Sequence, residues 1–470
     1  MSDSIFQNMV RFVLSSDCQT IVVPDEMYQI VSKNKKKIIP YIALTDADLR
    51  SCELVVVHKG AMHRLGFGAL AAVSFQFRPV YADEVYVCYE RKGLIEHDLP
   101  RAGDAEEPEF LRHVPPVRDH MRTESFVRKQ NRAAQSAVLI SAYGVGNIGD
   151  DLVSFAAKKM LEDVGIGEVK LAGPSVSYEA ICDADLIAVG GGGLFYDSDI
   201  VNCANYLYPI QEAARQGKPS VVLGVGVQGI KTEIGKRAYS QHLANATFLS
   251  VRDPRDKLDL TSFDGTLERT FAGADMAFYM ADELRRVGQP FATEKPLALF
   301  SVSSVLEARL ARQGHELKAV SQQIIATLKG RGYEVLLVLH SEDDRTLFQW
   351  LAENENLTLV ESASYGLAAT ARLYASAGTI VTSRFHALIL GLIFGKAVVS
   401  VFSDTGKTGK LISSYLRSIE AQCQALESFD LNSLTEKLEK ATSPDPAEVA
   451  HCIAMTQMMR ADLARVLTCV

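Results

Sequence analysis

No CxxC pair occurs among the eight cysteines, which are scattered from Cys18 to Cys469, and no Cys/His spacing resembles a metal site. A disulfide scaffold and a zinc module are therefore not expected. The thiols read as reduced, which points to a cytoplasmic protein. No span approaches the roughly 20 apolar residues needed to cross a bilayer, and the segment after Met1 lacks a basic stretch leading into an apolar one. The longest apolar run, Ala387 to Phe394, is bounded by Arg384, His386 and Lys396, as suits a buried helix. Contact with a membrane surface stays open. Nor is there an excess of positive charge: 49 Lys and Arg against 57 Asp and Glu leave a formal charge of −8, which argues against a nucleic-acid binder held by phosphate neutralisation. Short-period repeats and low-complexity tracts are absent as well. What remains is a chain of 470 residues, 47% hydrophobic and 23% charged, enough for two or three domains with sizeable cores.

The first part of the chain carries short β-rich runs, TIVV from Thr20, CELVVV from Cys52 and EVYVCY from Glu84. They suggest a small α+β module over residues 1–120. The lysines at 33, 35, 36 and 37 read as a solvated loop or helix end. From Arg91 to Gln135 the sequence is polar and punctuated by proline, and reads as a linker. Beyond Ser136 short apolar strands alternate with longer amphipathic segments, the rhythm of βαβ units around a parallel sheet. The rhythm restarts near Lys295 with LALFSVS, YEVLLVLH, TIVTS and AVVSVF. Two Rossmann-like domains, 136–292 and 293–420, are expected to face a cleft, with C-terminal helices over 421–470 packing back across them. In such sheets ligands bind outside the carboxyl ends of the strands.

Gly144-Val-Gly146-Asn-Ile-Gly149 satisfies GxGxxG after a strand and before a helix. A dinucleotide is nevertheless not expected. Asp150 and Asp151 follow at the helix start, where they would repel a pyrophosphate, and the next strand ends in Gly173-Pro174 where an acidic ribose ligand would stand. Two uses of the glycines remain open: a turn that points Asn147 and Asp150 into the cleft, or plain helix entry with Asp capping. Gly190 to Gly193 follow the strand DLIAV, and the backbone there, Gly191, Gly192 and Gly193 in particular, could admit a ligand or simply turn. VLGVGVQGI from Val222 repeats the device on the next strand.

Arg252 ends the strand FLSVRD, where it could clamp a carboxylate or phosphate or pair with Asp253 or Asp256. Asp275 in FAGADMAFY could be a turn residue or a cleft carboxylate. In TSRFHAL, Arg384 and His386 stand at the start of a hydrophobic helix. A cation is poorly matched to that end of a helix dipole unless an anion is present, so the pair suggests a bound carboxylate or phosphate, the alternative being that His386 caps backbone groups and Arg384 makes a structural ion pair. Lys407 and Lys410 follow the next strand at the same edge and could add positive charge there or be ordinary surface lysines.

Taken in order, GVGNIGDD, DLIAVGGGGLF, VVLGVGV, SVRD, AGADMAF and SRFHALILGLIFGKAVVSV resemble the polysaccharide pyruvyl transferase family over about residues 137–418. The resemblance implies a GT-B-like fold, phosphoenolpyruvate as donor, a sugar or lipid-linked glycan as acceptor, and a pyruvate ketal formed on a cell-surface polysaccharide precursor. It implies His386 and Asp150 as the acid and the base. Arg384 and Arg252 would bind the donor, with Asn147, Gly191, Gly192, Gly193 and Lys407 completing the substrate site. No metal or cofactor is required. Two other classes share the expected cleft: a nucleotide-sugar-dependent GT-B glycosyltransferase, and a glycan-binding or assembly protein without turnover.

Overall fold

Runs rich in Val, Ile and Leu, each ended by glycine, proline or polar residues, fold as strands because branched side chains suit a pleated, buried surface. A computed structural model describes residues 2–91, 134–402, 406–426 and 429–468. The proline-punctuated stretch expected as a linker lies almost wholly outside them.

The first sheet holds β1 (Thr20–Val23), β2 (Lys37–Pro40), β3 (Leu54–His58), β4 (Phe77–Ala82) and β5 (Tyr86–Arg91). Its order is β2-β1-β3-β5-β4, with β1 parallel to β2 and β3 and the β3/β5 and β5/β4 pairs antiparallel. Lys36 closes the end of the first helix, its Nζ donating to the Val13 carbonyl at 3.1 Å.

The second sheet holds β6 (Ser136–Ile140), β7 (Glu168–Ala172), β8 (Leu186–Phe195), β9 (Ser220–Val227), β10 (Phe248–Val251) and β11 (Phe271–Ala272). All its pairs are parallel, in the order β7-β6-β8-β9-β10-β11. The third holds β12 (Leu297–Ser301), β13 (Glu334–Leu339), β14 (Thr358–Glu361), β15 (Ala377–Thr382), β16 (Ala397–Phe402) and β17 (Cys423–Ala425), also parallel throughout, in the order β14-β13-β12-β15-β16-β17. Both are doubly wound Rossmann-like sheets, and the third has the 3-2-1-4-5-6 order of dinucleotide folds. The chain is thus α/β, with two Rossmann-like domains in a GT-B-like arrangement and a mixed sheet before them.

Two expectations need correction. Gly190 to Gly193 do not leave the sheet: β8 runs through them to Phe195. Gly191 and Gly192 take φ of +73° and +96°, and the pairing with β9 shifts register between Gly192 and Phe195. This is a glycine bulge inside a strand. The stretch from 421, expected as helices alone, opens with β17. Three residues are too few to leave an alternating pattern.

The carboxyl edges of the two parallel sheets face each other. Asn147, past β6, pairs with Ser341, past β13, and the Ile148 amide donates to the His340 carbonyl at 3.1 Å. One apolar cluster joins the domains, running from Leu152 and Val153 through Met276 and Phe278 to Leu388, Ile389, Met459 and Leu463. The last two lie on the C-terminal helix Pro446–Thr468, which crosses back to the first domain, where Ser250 Oγ donates to Met459 Sδ at 3.2 Å. The N-terminal module docks on the helices 200–216 and 233–243 through Arg215 Nη1 to the His63 carbonyl at 3.0 Å and His242 Nε2 against the Ile42 carbonyl at 2.7 Å. No helix among the described residues is long and apolar enough to cross a membrane.

Met459 is fully buried, so Met459→Ala is expected to cost roughly 2–5 kcal/mol through lost burial and the cavity left behind. Calorimetry should read a lower unfolding midpoint. An unchanged midpoint would detach the C-terminal helix from the first domain.

Candidate functional site

Where the two edges meet, charged side chains converge from both domains. From the first come Asp150, Arg252, Asp256 and Asp275; from the second, Asp344, Arg384, His386 and Lys407.

Arg252 follows β10 and is 3% exposed. Gly226 makes room for it: a Cβ there would lie 2.2 Å from Cζ. On its other face the guanidinium stacks on Phe385, 4.8 Å from the ring centroid. Nε stands 3.7 Å from Asp256 Oδ2, and Nη1 stands 3.7 Å from Asp275 Oδ2. These are ion pairs at a distance and not hydrogen bonds. Both Nη atoms are buried and lack a hydrogen-bond partner among the described residues. Buried donors in native proteins are normally satisfied by protein or water, so an unsatisfied guanidinium edge marks a place for an acceptor.

Arg384 is held differently. Its Nε donates to Asp344 Oδ2 at 2.7 Å, with Nη2 against the same oxygen. Asp344 is itself fixed by the Ser304 amide, which donates to Oδ1 at 2.8 Å. One edge of the Arg384 fork is therefore spent on orientation. The helix Phe385–Ile393 begins directly after it and has no side-chain cap, so capping does not account for His386.

His386 lies 7% exposed at the domain junction. Its Nδ1 face packs on Gly149, where a Cβ would sit 2.2 Å from Nδ1; the third glycine of GVGNIG exists to admit this ring. Nε2 lies 3.8 Å from Asp275 Oδ1 without a hydrogen bond. Burial, then Lys407 and Arg252, hold the imidazole pKa well below its ordinary value. Behind it His340 bonds Tyr374 Oη at 2.7 Å, and burial lowers its pKa to about 3.

Lys407 keeps solvent access as a residue, yet its ammonium stands between the domains, 5.5 Å from the Phe385 centroid. Lost hydration there, with Arg252 adding to it, lowers its pKa to about 8. Asp150 is half-buried, and burial raises its carboxyl pKa against the pull of Lys407. Asp275 is both things its sequence position suggested: Oδ1 accepts from the Ala277 amide at 3.0 Å, and the carboxylate faces Arg252 and His386.

The structure thus brings Asp150, Arg252, Arg384, His386 and Lys407 together. Asn147 is spent locally, its Oδ1 capping the helix by accepting from the Gly149 amide at 3.0 Å. The glycines serve mostly packing. A Cβ on Gly191 would lie 2.6 Å from the Val153 carbonyl oxygen and one on Gly193 would strike the Gln228 amide, while one on Gly192 would lie 3.6 Å from Asp150 Oδ1. Of these three, Gly192 is the one that borders a candidate side chain. Lys410 is taken up by Asp256 and Asp259 at 2.5 and 2.6 Å. Asp344 went unnoticed in the sequence; the available signal was the acidic run SEDD just past the strand YEVLLVLH. Among the described residues no group of His, Cys, Asp or Glu is placed to hold a metal ion.

Of the cationic influences on His386, Lys407 is the largest. Lys407→Met is therefore expected to move the His386 titration upward, read by histidine NMR; an unmoved or lower midpoint would separate the two groups.

No curated protein matches the chain significantly. Among solved structures, the UDP-GlcNAc 2-epimerase of Neisseria meningitidis is similar at 13% identity and TM-score 0.43, over 71% of this chain and 99% of the epimerase. The Methanocaldococcus jannaschii UDP-GlcNAc 2-epimerase stands at 11% and 0.45, over 70% and 99%. The E. coli ADP-heptose lipopolysaccharide heptosyltransferase II stands at 12% and 0.35, over 65% and 98%. Residues 147–404, more than half of the sequence and the span that supplies every charged residue named in the cleft except Lys407, match the family description "polysaccharide pyruvyl transferase", and the chain belongs to that family.

Proposed function

We propose that the protein transfers the enolpyruvyl unit of phosphoenolpyruvate to two hydroxyls of a sugar or lipid-linked glycan, forming a pyruvate ketal on a polysaccharide precursor. The observation that carries this reading is the buried Arg252, whose Nη atoms lack partners among the described residues, in one cleft with Arg384, Lys407 and an imidazole. Phosphoenolpyruvate carries a carboxylate and a phosphate. A guanidinium edge suits either group in two-pronged fashion, and an ammonium suits the phosphate as a point charge.

The chemistry needs a proton delivered to carbon and one removed from oxygen. The methylene carbon of the donor gains a proton, an acceptor hydroxyl oxygen adds to the neighbouring carbon, and the carbon–oxygen bond to phosphate breaks. The second hydroxyl closes the ketal. Of the two hydroxyl protons, one balances the new methyl group and the other leaves with phosphate. His386 is assigned as the acid. It is neutral in the free protein because of burial and the cations around it, and a trianionic donor reverses that field, with Asp275 beside Nε2 to hold the imidazolium. Asp150 is assigned as the base that takes a hydroxyl proton, its raised pKa bringing it nearer to that task.

The test is incubation with phosphoenolpyruvate and a panel of free and lipid-linked glycans. The expected result is phosphate release matched by a gain in glycan mass of one pyruvate less one water. Nucleotide release from a sugar nucleotide instead would make the protein a glycosyltransferase, and binding without turnover would make it a glycan-binding protein.

In that assay His386→Gln is expected to fold and to keep much of its donor affinity while losing about two to four orders of magnitude in turnover, the usual worth of a general acid or base. Wild-type turnover with lowered thermal stability would reassign the ring to structure.

Lys407 is an ammonium below its pKa of about 8 and an amine above it. Donor affinity should therefore weaken as pH rises past about 8, where the free protein loses the ammonium, and level off above the higher pKa that a bound anion gives it. Calorimetric titration across that range should show the loss in the wild type and a flatter profile in Lys407→Arg. A flat wild-type profile would remove Lys407 from the donor site.

A further inference from the structure

In the sequence Lys410 could equally add charge to the site or be a surface lysine, but its side chain is only 12% exposed and spans the domain junction. It extends from the helix Lys407–Tyr415 of the second domain, and its Nζ donates to the Val227 carbonyl at 2.9 Å, to Asp256 Oδ1 at 2.5 Å and to Asp259 Oδ2 at 2.6 Å, all in the first domain. The same helix is tied there by Ser414 Oγ, which donates to Asp253 Oδ1 at 3.1 Å, and by Tyr415 Oη, which donates to the Gly273 carbonyl at 2.6 Å. Its first residue is Lys407.

Asp256 is fully buried and divided between two cations: Oδ1 serves Lys410, while Oδ2 stands 3.7 Å from Arg252 Nε and has no hydrogen-bond partner among the described residues. Burial raises the pKa of this carboxyl, and Arg252 and Lys410 pull it back. While Lys410 neutralises Asp256, Arg252 need not close on it, and the guanidinium stays stacked on Phe385 with its Nη edge unspent. Without Lys410 the buried carboxylate must take up a proton or draw Arg252 into a full ion pair, because an unpaired buried charge is costly. The second outcome moves the guanidinium off Phe385 and spends the edge that Lys410 otherwise leaves free.

We propose that Lys410 is a positioning residue: by holding Asp256 across the domain junction it keeps Arg252 free for the donor. The inference rests on the donor reading given above. It separates the two lysines of GKTGK by task, with Lys407 facing the donor and Lys410 setting the arginine that binds it.

The test is calorimetric binding of phosphoenolpyruvate together with steady-state kinetics on the full-length protein. Lys410→Met is expected to weaken donor affinity by about tenfold or more, raising KM far more than it lowers kcat, with Lys410→Arg recovering much of the affinity. Lys410→Gln, which keeps a donor without the charge, stands in if Lys410→Met does not fold. In an Arg252→Lys background the further loss on Lys410→Met should largely vanish, because the effect acts through the guanidinium. A full loss persisting in that background would overturn the proposal, as would donor affinity in Lys410→Met and Lys410→Gln equal to that of the wild type, or a fall in kcat and thermal stability with KM unchanged. Failure of the wild type to bind phosphoenolpyruvate would instead remove the donor reading on which the proposal stands.

Discussion

A guanidinium buried at the junction of two domains constrains much of what surrounds it. Arg252 cannot keep its charge out of water without compensation, and the compensation comes from both domains: Asp256 and Asp275 at 3.7 Å from the first, the Phe385 ring at 4.8 Å from the second. Gly226 has no side chain because the guanidinium lies where one would go. The same site requires Gly149 to admit His386 from across the cleft. Charges that face each other over such a gap need the domains held in register. The apolar cluster shared by the helices 148–163, 385–393 and 446–468 supplies that hold, as do the backbone contacts of Asn147 and Ile148 with the 340–341 segment.

The parallel strands that carry the site residues were largely legible in the sequence. Uninterrupted apolar runs such as AVLI, LALFS and TIVT can hardly be anything but buried strands when longer amphipathic segments separate them. The residues that follow those runs, Arg252, Arg384 and His386, could be assigned to one edge by the general rule for α/β sheets. Partnership was not legible. Asp344 is the ligand of Arg384 because β13 and β15 flank β12, a matter of strand order that no local pattern encodes. For the same reason the role of Lys410 stayed open between added charge and a surface lysine, since its carboxylates lie some 150 residues away in sequence and meet it only across the junction. The glycine run 190–193 misled because a bulge inside a strand and a loop after one have the same composition.

The N-terminal module and residues up to 146 lie outside the matched family span. The module's contacts include specific ones at the helices 200–216 and 233–243 and the residue capping the first of them: buried His242 against the Ile42 carbonyl, Arg237 on Asp48 at 3.0 Å, Gln29 on Asp199 at 2.9 Å. Among the described residues, none of the cleft's charged side chains comes from the module. It is bound to the first domain as a fixed addition, while the cleft chemistry is built from the family span and the helix that begins at Lys407.

The central claim is that this cation-lined cleft receives phosphoenolpyruvate, and matched calorimetric titrations of phosphoenolpyruvate and a UDP-sugar into the wild type and into Arg252→Met test it most directly. The account predicts heat from phosphoenolpyruvate that Arg252→Met abolishes, and none from the UDP-sugar. Binding of the UDP-sugar alone, or phosphoenolpyruvate binding that survives in Arg252→Met unchanged, would contradict it.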